Sequence, residues 1–275
     1  MDQMLKDRVA IVTGAGRGVG RATAKLFSQE GAKVVACDLD EGPCQETAIS
    51  INAAGGISIP CVGDLTTEGF PERLISTTVE SFGQSIDIIV NNAGYSGSEF
   101  IHKATNTFWQ EMFEIHSTAP FKIIRAACPF MRDQAKMEID SGKNSKCRKI
   151  INVSSLAATD GIVAGAAYSS AKAALLGFTK SLAKEFGPYN ICVNAIALGF
   201  IDTRLTQPLE KKRSKAAIDS RVLGFDKKAL EEFISLTSLK RIGTVEEAAG
   251  AILLLASSLS NYITGQVIKV SGGLW

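Results

Sequence analysis

The stretch Val9-Ala-Ile-Val-Thr13-Gly-Ala-Gly-Arg-Gly18-Val-Gly20 indicates the fold of this chain. It begins with a short apolar run, which is typical of a strand that is covered on both faces of a sheet. Four glycines follow, and a helical pattern begins near Arg21. In a strand–turn–helix unit of this kind, glycines let the backbone turn tightly and approach a pyrophosphate at the N-terminus of the helix. The spacing TGxxxGxG lacks the GK[ST] element of a P-loop, so a P-loop nucleotide hydrolase is excluded.

Apolar runs like the first one recur along the whole chain. Six further runs are predicted to be strands: 33–37, 57–59 with 61–62, 86–90, 149–153, 191–197 and 267–270. Segments with helical spacing separate them, of which the clearest are 21–30, 71–82, 107–131, 165–186 and 248–257. Alternation of strands and helices from end to end is typical of βαβ units. We therefore predict an α/β Rossmann fold, with a doubly wound parallel sheet of about seven strands and helices on both faces.

The predicted helices carry signals at their ends. Thr244 and Glu247 have the spacing of a capping box before the helix at 248–257. Gly31, Gly83 and Gly187 stand where C-terminal caps are expected. Two segments, 140–148 and 202 to about 241, show no regular pattern, and we predict irregular structure there.

Composition and charge restrict the class of protein. The chain has 275 residues, 45% of them hydrophobic, and we interpret residues 1–275 as a single domain. Its formal net charge is +2, which does not favour nucleic acid or an anionic membrane as a partner. We expect neither a signal peptide nor a membrane-spanning helix, because the apolar runs are too short for either.

The cysteines and histidines give no sign of a metal site. The six cysteines are dispersed without a CxxC pair, and the chain has only two histidines. This pattern leaves no ligand cluster at the spacing of a zinc or iron–sulfur site, so no bound metal is expected. We interpret the cysteines as reduced thiols and expect a cytoplasmic protein.

An acidic residue ends the second predicted strand. Asp38, followed by Leu39, lies where a carboxylate accepts hydrogen bonds from the ribose hydroxyls of an adenosine and repels a 2′-phosphate. This favours NAD over NADP as the cofactor. Arg17, within the glycine turn, is a counter-signal because a guanidinium can pair with a 2′-phosphate. Repulsion from Asp38 would act at the same atoms, so we predict NAD.

A second group of residues points to catalysis. Tyr168 and Lys172 lie four residues apart on the predicted helix 165–186, which places both side chains on one face. A phenol is a weak base at neutral pH, so its use in catalysis requires a nearby cation that favours the phenolate. Ser155 follows the strand 149–153 and therefore lies at the carboxyl edge of the sheet, where doubly wound folds bind their ligands.

Together these motifs resemble those of the short-chain dehydrogenase/reductase family, in its 3-oxoacyl-[acyl-carrier-protein] reductase-like branch. The resemblance covers nearly the whole chain, from Asp7 to Trp275. Its further landmarks are Asp64-Leu65, Asn91-Asn-Ala-Gly94, Leu198-Gly-Phe-Ile-Asp-Thr203 and a tail that contains Gly272-Gly273. It implies an enzyme that interconverts a secondary alcohol and a ketone by hydride transfer to or from NAD(H).

The resemblance also implies roles for individual residues. Tyr168 would act as general acid and base, and Ser155 would hold the substrate oxygen. Lys172 would lower the pKa of the tyrosine and bind the nicotinamide ribose. The implied cofactor-binding residues are Gly14, Arg17, Gly18, Val19, Gly20, Asp38, Leu39, Asp64, Leu65, Asn92, Ala93, Gly94, Tyr168, Lys172, Gly199, Ile201 and Thr203.

Two positions depart from the family pattern. His116 stands where the family usually has an asparagine that holds a water between the lysine and solvent. We expect His116 either to relay protons in its place, which would add a pH dependence near neutrality, or to be a packed core histidine. Leu198 replaces the usual proline before Gly199, which we expect to loosen the turn beneath the nicotinamide.

The sequence describes the substrate site least. We predict a substrate-binding loop at about 203–240, with apolar residues that suit a 3-hydroxyacyl or 3-oxoacyl thioester, or another hydrophobic alcohol or ketone, or that pack the loop itself. Its basic residues suit an acidic carrier or a solvated surface, of which we favour the second. The resemblance implies a homotetramer that acts on a small molecule. A catalytically silent nucleotide-binding regulator on the same fold is the alternative function.

Overall fold

Parallel strands form the centre of the structure, which is a computed structural model that describes residues 3–204, 206 and 227–274. The strands are β1 Val9–Thr13, β2 Lys33–Asp38, β3 Ile57–Val62, β4 Ile88–Asn91, β5 Arg148–Ser155, β6 Ile191–Leu198 and β7 Val267–Val270. They make one sheet in the order β3-β2-β1-β4-β5-β6-β7, and every neighbouring pair is parallel. The predicted α/β fold with a doubly wound parallel sheet is confirmed.

Helices cover both faces of this sheet. In the described residues they are α1 Gly18–Gln29, α2 Glu41–Ala53, α3 Phe70–Phe82, α4 Asn106–Phe113, α5 Ala119–Cys128, α6 Gln134–Asp140, α7 Ala157–Asp160, α8 Ala166–Phe186, α9 Lys227–Leu236 and α10 Val245–Ala256. Helices α1 and α10 contribute to one hydrophobic core, and α3, α5 and α8 contribute to a second core on the opposite face.

Strand β1 shows why its sequence is apolar at every position. Ala10 and Val12 belong to the core beneath α1 and α10, whereas Ile11 belongs to the core beneath α3, α5 and α8. All three residues are fully buried. Successive side chains of a strand point to opposite faces, so a strand between two helical layers has no polar face.

The strand order determines where a ligand can bind. The chain builds outward from β1 to β3 and then returns to place β4 on the other side of β1. In open α/β sheets, ligands bind at the carboxyl ends of the strands, where the strand order reverses. Thr13, Asn91 and Ser155 end β1, β4 and β5, so the predicted motifs share this edge.

The helix predicted at 107–131 is longer and less regular than expected. Helices α4, α5 and α6 follow one another without a break, joined by π-helical turns at Glu114–Thr118 and Pro129–Asp133. A π turn inserts an extra residue into a helix, and such turns are frequent at functional sites. His116 lies in the first of them.

Gly187 is the C-cap of α8, as predicted, but it is not left-handed: its φ is −53°, and it begins the 3₁₀ turn Gly187–Tyr189, which ends at Asn190 with φ of 56°. Pro188, which lacks an N–H group, favours this change of helix type. The segment 202–241, predicted to be irregular, contains the helix α9, so that prediction is wrong in part.

Two other predictions concern the capping box before α10 and the substrate-binding loop. The capping box is present: the Glu247 N–H donates to Thr244 Oγ1 at 3.2 Å, and the Thr244 N–H donates to Glu247 Oε2 at 2.8 Å. Most of the predicted substrate-binding loop, residues 205 and 207–226, lies outside the described residues.

Candidate active site at the carboxyl edge of the sheet

The turn after β1 is held by the threonine that ends the strand. Thr13 Oγ1 accepts hydrogen bonds from the N–H groups of Asn92 and Ala93, both at 3.0 Å, and donates to the Val90 oxygen at 3.2 Å. The Asn92 side chain donates to the Thr13 oxygen at 2.9 Å. Gly14 has a φ of 66°, and a Cβ there would lie 2.9 Å from the Ala93 Cα, so only glycine fits. The loop after β4 is therefore fixed against the glycine turn.

Helix α1 begins with an open N-terminus. Arg17 at its N-cap makes no capping hydrogen bond through its side chain, and the first turn has no acidic residue. Among the residues that the structure describes, a Cβ on Gly18 would meet only Thr203, at 3.5 Å, whereas a Cβ on Gly20 would overlap the Gly14 oxygen. The backbone is thus bare where the positive end of the helix dipole lies, an arrangement that suits a phosphate group.

Asp38 faces this turn from the end of β2. Its Oδ2 accepts from the Gly16 N–H at 2.7 Å, and its Oδ1 accepts from the Asp40 N–H at 3.0 Å. A Cβ on Gly16 would lie 2.7 Å from Oδ2, so the turn and the carboxylate fit together. Arg17 forms an ion pair with Asp40. The charged side chain that contacts the glycine turn is therefore the Asp38 carboxylate, whereas the Arg17 guanidinium is held by Asp40.

The residues predicted at the adenine lie beyond the ends of β2 and β3. Leu39 is exposed and Leu65 is buried. Asp64 Oδ1 accepts from the N–H and the hydroxyl of Thr66, at 2.8 and 2.7 Å. The Gly63 N–H donates to the Asp38 oxygen at 2.9 Å, which joins this loop to β2.

Ser155, Tyr168 and Lys172 come together beside β5. Ser155 is the last residue of this strand, and its Oγ accepts from the Ala157 N–H at 3.2 Å. Tyr168 on α8 lies close enough to Ser155 for the serine side chain to lower the pKa of the phenol. Lys172, one helical turn later, is buried and donates from Nζ to the Val153 oxygen at 2.8 Å.

Burial has the largest effect on the proton affinities of this group. It raises the pKa of Tyr168, while the Ser155 side chain acts in the opposite direction. Burial also lowers the pKa of Lys172 to about 7. The lowering of the tyrosine pKa by Lys172, which the resemblance implies, stays a prediction.

His116 is enclosed next to these residues. Its Nε2 lies 2.8 Å from the Tyr95 oxygen. Its ring stands edge-on to Tyr168 with the centroids 5.2 Å apart, and a Cβ on Gly94 would overlap the imidazole. The structure thus places His116 beside the predicted catalytic residues and beside the loop after β4.

The surroundings of His116 determine its charge. Burial, followed by the charge of Lys172, lowers the pKa of His116 well below 6.5. The imidazole is therefore neutral at neutral pH, and the predicted titration near neutrality is not supported. Nδ1 is buried and has no hydrogen-bond partner within the described part of the chain.

Buried polar residues that the sequence reasoning missed position α8. The Ser154 hydroxyl donates to the Lys172 oxygen at 3.0 Å, and the Ser117 hydroxyl donates to the backbone of α8 at 2.8 Å. Asn152 Nδ2 donates to Thr179 Oγ1 at 2.9 Å. The available signal was the presence of polar residues such as Asn152 and Ser154 within an apolar strand.

The segment after β6 forms the next part of the site. Leu198 is paired with both β5 and β7, and the Gly199 N–H donates to the Val270 oxygen at 2.9 Å. These contacts hold the start of the turn, and the loosening expected from Leu198 stays a prediction. Ile201 is buried, and the Thr203 N–H donates to the Thr206 hydroxyl at 3.0 Å.

Helix α9 packs against the segment after β6, and the C-terminal tail is hydrogen-bonded to residues that follow α9. Phe200 stacks on Phe233 of α9 with the ring centroids 4.4 Å apart. The Leu239 N–H donates to the Gly272 oxygen at 3.0 Å, and the Ser238 hydroxyl donates to the Gly273 oxygen at 3.0 Å. The tail is thereby attached to the segment that follows α9.

Metal ligands and membrane-spanning helices are two further features of a possible site or location. Among the residues that the structure describes, no group of three or more His, Cys, Asp or Glu side chains could hold a metal ion. None of the described helices is both long enough and apolar enough to cross a membrane.

Comparison with known proteins gives matches over almost the full length. A family model described as enoyl-(acyl carrier protein) reductase matches residues 14–275. The 3-oxoacyl-[acyl-carrier-protein] reductase FabG of Thermotoga maritima is 33% identical over 270 residues, covering 98% of both chains. The (3R)-3-hydroxyacyl-CoA dehydrogenase of Canis lupus familiaris is 31% identical over 279 residues, covering 98% of this chain and 97% of that protein. The short-chain reductase protein NovJ of Streptomyces niveus is 33% identical over 269 residues, covering 98% and 94%.

Proposed function

Because this chain belongs to the short-chain dehydrogenase/reductase family, we propose that it is an NAD(H)-dependent oxidoreductase that interconverts a secondary alcohol and a ketone. The observation that carries the proposal is the meeting of Ser155, Tyr168 and Lys172 at the same edge of the sheet as the open N-terminus of α1. A shared fold does not determine an activity, whereas this arrangement supplies the groups that the reaction needs.

The residues around α1 fit a nicotinamide dinucleotide. The uncapped start of the helix offers N–H groups to a pyrophosphate. The Asp38 carboxylate beside it suits ribose hydroxyls and would repel a 2′-phosphate, while Arg17 is paired with Asp40. These features support NAD over NADP. The other residues that we propose for the cofactor site are Gly14, Gly18, Val19, Gly20, Leu39, Asp64, Leu65, Asn92, Ala93, Gly94, Tyr168, Lys172, Gly199, Ile201 and Thr203.

The protein's part in the reaction is to move one proton and to hold one oxygen. When bound, the nicotinamide supplies the hydride donor or acceptor. During ketone reduction, the Tyr168 phenol donates its proton to the substrate oxygen, and the Ser155 hydroxyl donates a hydrogen bond to the same atom. During alcohol oxidation, the phenolate accepts the hydroxyl proton. The raised pKa of Tyr168 keeps the phenol protonated at neutral pH, which suits reduction.

We propose that Lys172 and His116 assist proton transfer at Tyr168 without contacting the substrate. A pKa of about 7 allows Lys172 to gain and lose a proton near neutral pH. The buried Nδ1 of His116 has no partner in the described residues, and the charge of Lys172 reaches the imidazole. We therefore assign His116 a role as hydrogen-bond acceptor for a water that bridges its Nδ1 atom and Lys172. The imidazole stays neutral in this role.

Cofactor oxidation with a panel of ketones and acetoacetyl thioesters tests this function. We expect the parent protein to consume NADH and Tyr168→Phe to lose activity, because it keeps the ring but lacks the hydroxyl. Tyr189→Phe is the matched control, since Tyr189 lies beyond the far end of α8. Equal rates in the parent and Tyr168→Phe would contradict the proposal. Absence of activity with every substrate would favour the nucleotide-binding regulator.

We propose 3-oxoacyl or 3-hydroxyacyl thioesters as the substrate class, in line with the names of two relatives. Phe200 and Phe233 give the site an apolar wall that suits an acyl chain. We expect kcat/KM to increase with chain length from acetoacetyl thioesters upward, and Phe233→Ala to reduce this increase. A kcat/KM that does not change with chain length would contradict an acyl-binding wall.

We propose a homotetramer as the assembled form. Trp109 of α4 and Phe121 of α5 are 42% and 43% exposed, and Leu259 and Tyr262, which follow α10, are still more exposed. Apolar side chains at such positions suit burial against further copies of the chain. Equilibrium sedimentation measures the assembly, and a monomer would contradict the proposal. We also propose a cytoplasmic location, with which six free cysteines are compatible.

A further inference from the structure

Two cysteines meet at the edge of the sheet opposite the proposed active site. Cys147 directly precedes β5, and Cys192 is the second residue of β6. Their sulfur atoms are 3.5 Å apart. Ser155 and Leu198, at the other ends of the same two strands, mark the active-site edge. The proposed oxidoreductase reaction does not use these two cysteines.

The pair lies next to an opening to solvent. Cys192 lines a surface cavity of about 560 Å³ together with Asn261 and Tyr262. Cys147 retains 9% of its surface exposed. A molecule as small as a peroxide therefore has a route to these sulfurs, although both residues are mostly buried.

The two thiols differ in their affinity for a proton. The hydrogen bond with Cys192, and then the positive charge of Lys149, lowers the pKa of the Cys147 thiol. The same hydrogen bond raises the pKa of Cys192. The thiolate is the nucleophile in cysteine oxidation. We assign the first reaction to Cys147 because it is the more exposed of the two, at 9% against 6% for Cys192.

We propose that Cys147 and Cys192 form a peroxide-reactive dithiol that closes to a disulfide. The Cys147 sulfur attacks one oxygen of hydrogen peroxide, the O–O bond breaks, and the leaving hydroxide takes a proton to become water. Cys147 is then a sulfenic acid. The Cys192 sulfur attacks the Cys147 sulfur, the S–O bond breaks, and a second water leaves. In sum, two thiols lose two electrons and two protons, and one peroxide becomes two waters.

Closure requires a small movement. The sulfurs must approach from 3.5 Å to a bond length of about 2.05 Å. Cys147 lies outside the strand, at the end of the irregular segment 141–147, so its backbone can adjust. Cys37 and Cys61 also face each other, in the register of β2 and β3. Both lie within paired strands, and Cys37 is fully buried, so we expect this second pair to stay reduced.

Mass spectrometry of the full chain tests the proposal. The protein is treated with hydrogen peroxide and denatured, and its remaining thiols are then blocked with N-ethylmaleimide. We expect four blocked thiols where the untreated protein has six, a cross-linked peptide that contains Cys147 and Cys192, and recovery of all six after dithiothreitol. Cys128→Ser is the matched control, because Cys128 is partly exposed and should leave the cross-link unchanged.

Three results would overturn the proposal: a cross-link between Cys37 and Cys61 instead, oxidation of Cys147 or Cys192 without a cross-link, or six blocked thiols after peroxide. These results come from the parent protein and do not depend on whether a variant folds. In Cys192→Ala, we expect dimedone to trap Cys147 as a sulfenic acid, with circular dichroism to check the fold. Since the readout is covalent, it is independent of the proposed oxidoreductase activity.

Discussion

The Nε2 atom of His116 lies 2.8 Å from the carbonyl oxygen of Tyr95, and this contact fixes the protonation of the imidazole. A carbonyl oxygen only accepts, so Nε2 carries the proton and Nδ1 is the acceptor. Burial and the charge of Lys172 keep the pKa of His116 well below 6.5, so a second proton is not gained near neutral pH. His116 therefore donates a hydrogen bond from Nε2 to Tyr95 and offers Nδ1 as an acceptor, and neither role changes near neutral pH.

Substitution of His116 should show whether its hydrogen bonds or its titration affect the reaction. We expect His116→Phe to lower kcat at least about tenfold, because the phenyl ring has neither the donor nor the acceptor. His116→Asn keeps an amide that can donate to Tyr95, so its kcat should stay within about threefold of the parent value. The parent and His116→Asn should show the same dependence of kcat on pH between about pH 5.5 and 8. An inflection that is present in the parent and lost in His116→Asn would show that the histidine titrates in this range.

The phenol of Tyr168 should resist ionisation in the protein without cofactor. Its pKa is raised by burial above the ordinary value of about 10. Ultraviolet difference titration of the parent against Tyr168→Phe should therefore show no phenolate from this residue below about pH 10. A phenolate signal near pH 7 to 8 would mean that Lys172 lowers the pKa of Tyr168 after all.

Lys172 should make stability depend on pH. Burial lowers its pKa to about 7 in the folded protein, against about 10.4 in an unfolded chain. Between these values the unfolded chain binds more protons, so the cost of burying Lys172 falls as the pH rises from 7 to 10.4. Lys172→Met lacks this effect. We expect the free energy of unfolding of the parent, relative to Lys172→Met, to increase by roughly 2 to 4 kcal/mol between pH 7 and pH 10.

Urea denaturation at the two pH values measures that difference. Lys180→Met is the matched control, because Lys180 lies on the same helix but is exposed. If Lys172→Met and Lys180→Met respond equally to pH, the lowered pKa of Lys172 is refuted.

Cofactor preference should depend on the charges around the glycine turn. Asp40→Asn removes the partner of Arg17 and leaves Asp38 in place. We expect it to tighten NADP binding about three- to tenfold, because the guanidinium becomes available to a 2′-phosphate, and to leave NAD binding unchanged. Asp38→Ser removes the repelling carboxylate and should raise the preference for NADP over NAD about 100-fold. Fluorescence titration gives both Kd values, and a parent protein that binds NADP more tightly than NAD would contradict the assignment.

The sequence predicts the sheet well because its physical cause is local. The run at 191–197 corresponds to strand Ile191–Leu198, since a strand covered on both faces needs apolar residues throughout. Ser155 could likewise be placed at the carboxyl edge, because it follows such a run. The four-residue spacing of Tyr168 and Lys172 placed both on one face of a helix, and the structure brings them to one site.

The remaining features depend on contacts between distant parts of the chain. The charge of His116 follows from its burial and from Lys172, which lies 56 residues away in the sequence. The pairing of Arg17 with Asp40 requires the loop after β2 to turn back toward α1. Cys147 and Cys192 are 45 residues apart and meet only because β5 and β6 are neighbours. None of these distances can be read from a local pattern.

The π-helical turn at Glu114–Thr118 is an insertion that the site depends on. A π turn holds one residue more than the α-helical turn that would replace it, so deletion of one residue there would restore an unbroken α-helix. Each residue before the deletion would then rotate by about 100° relative to α5. The shortened protein would have a more regular helix, yet the residue facing Tyr95 and Tyr168 would change. A regular helix and the present position of His116 are therefore incompatible, and the irregular turn keeps the imidazole beside Tyr168.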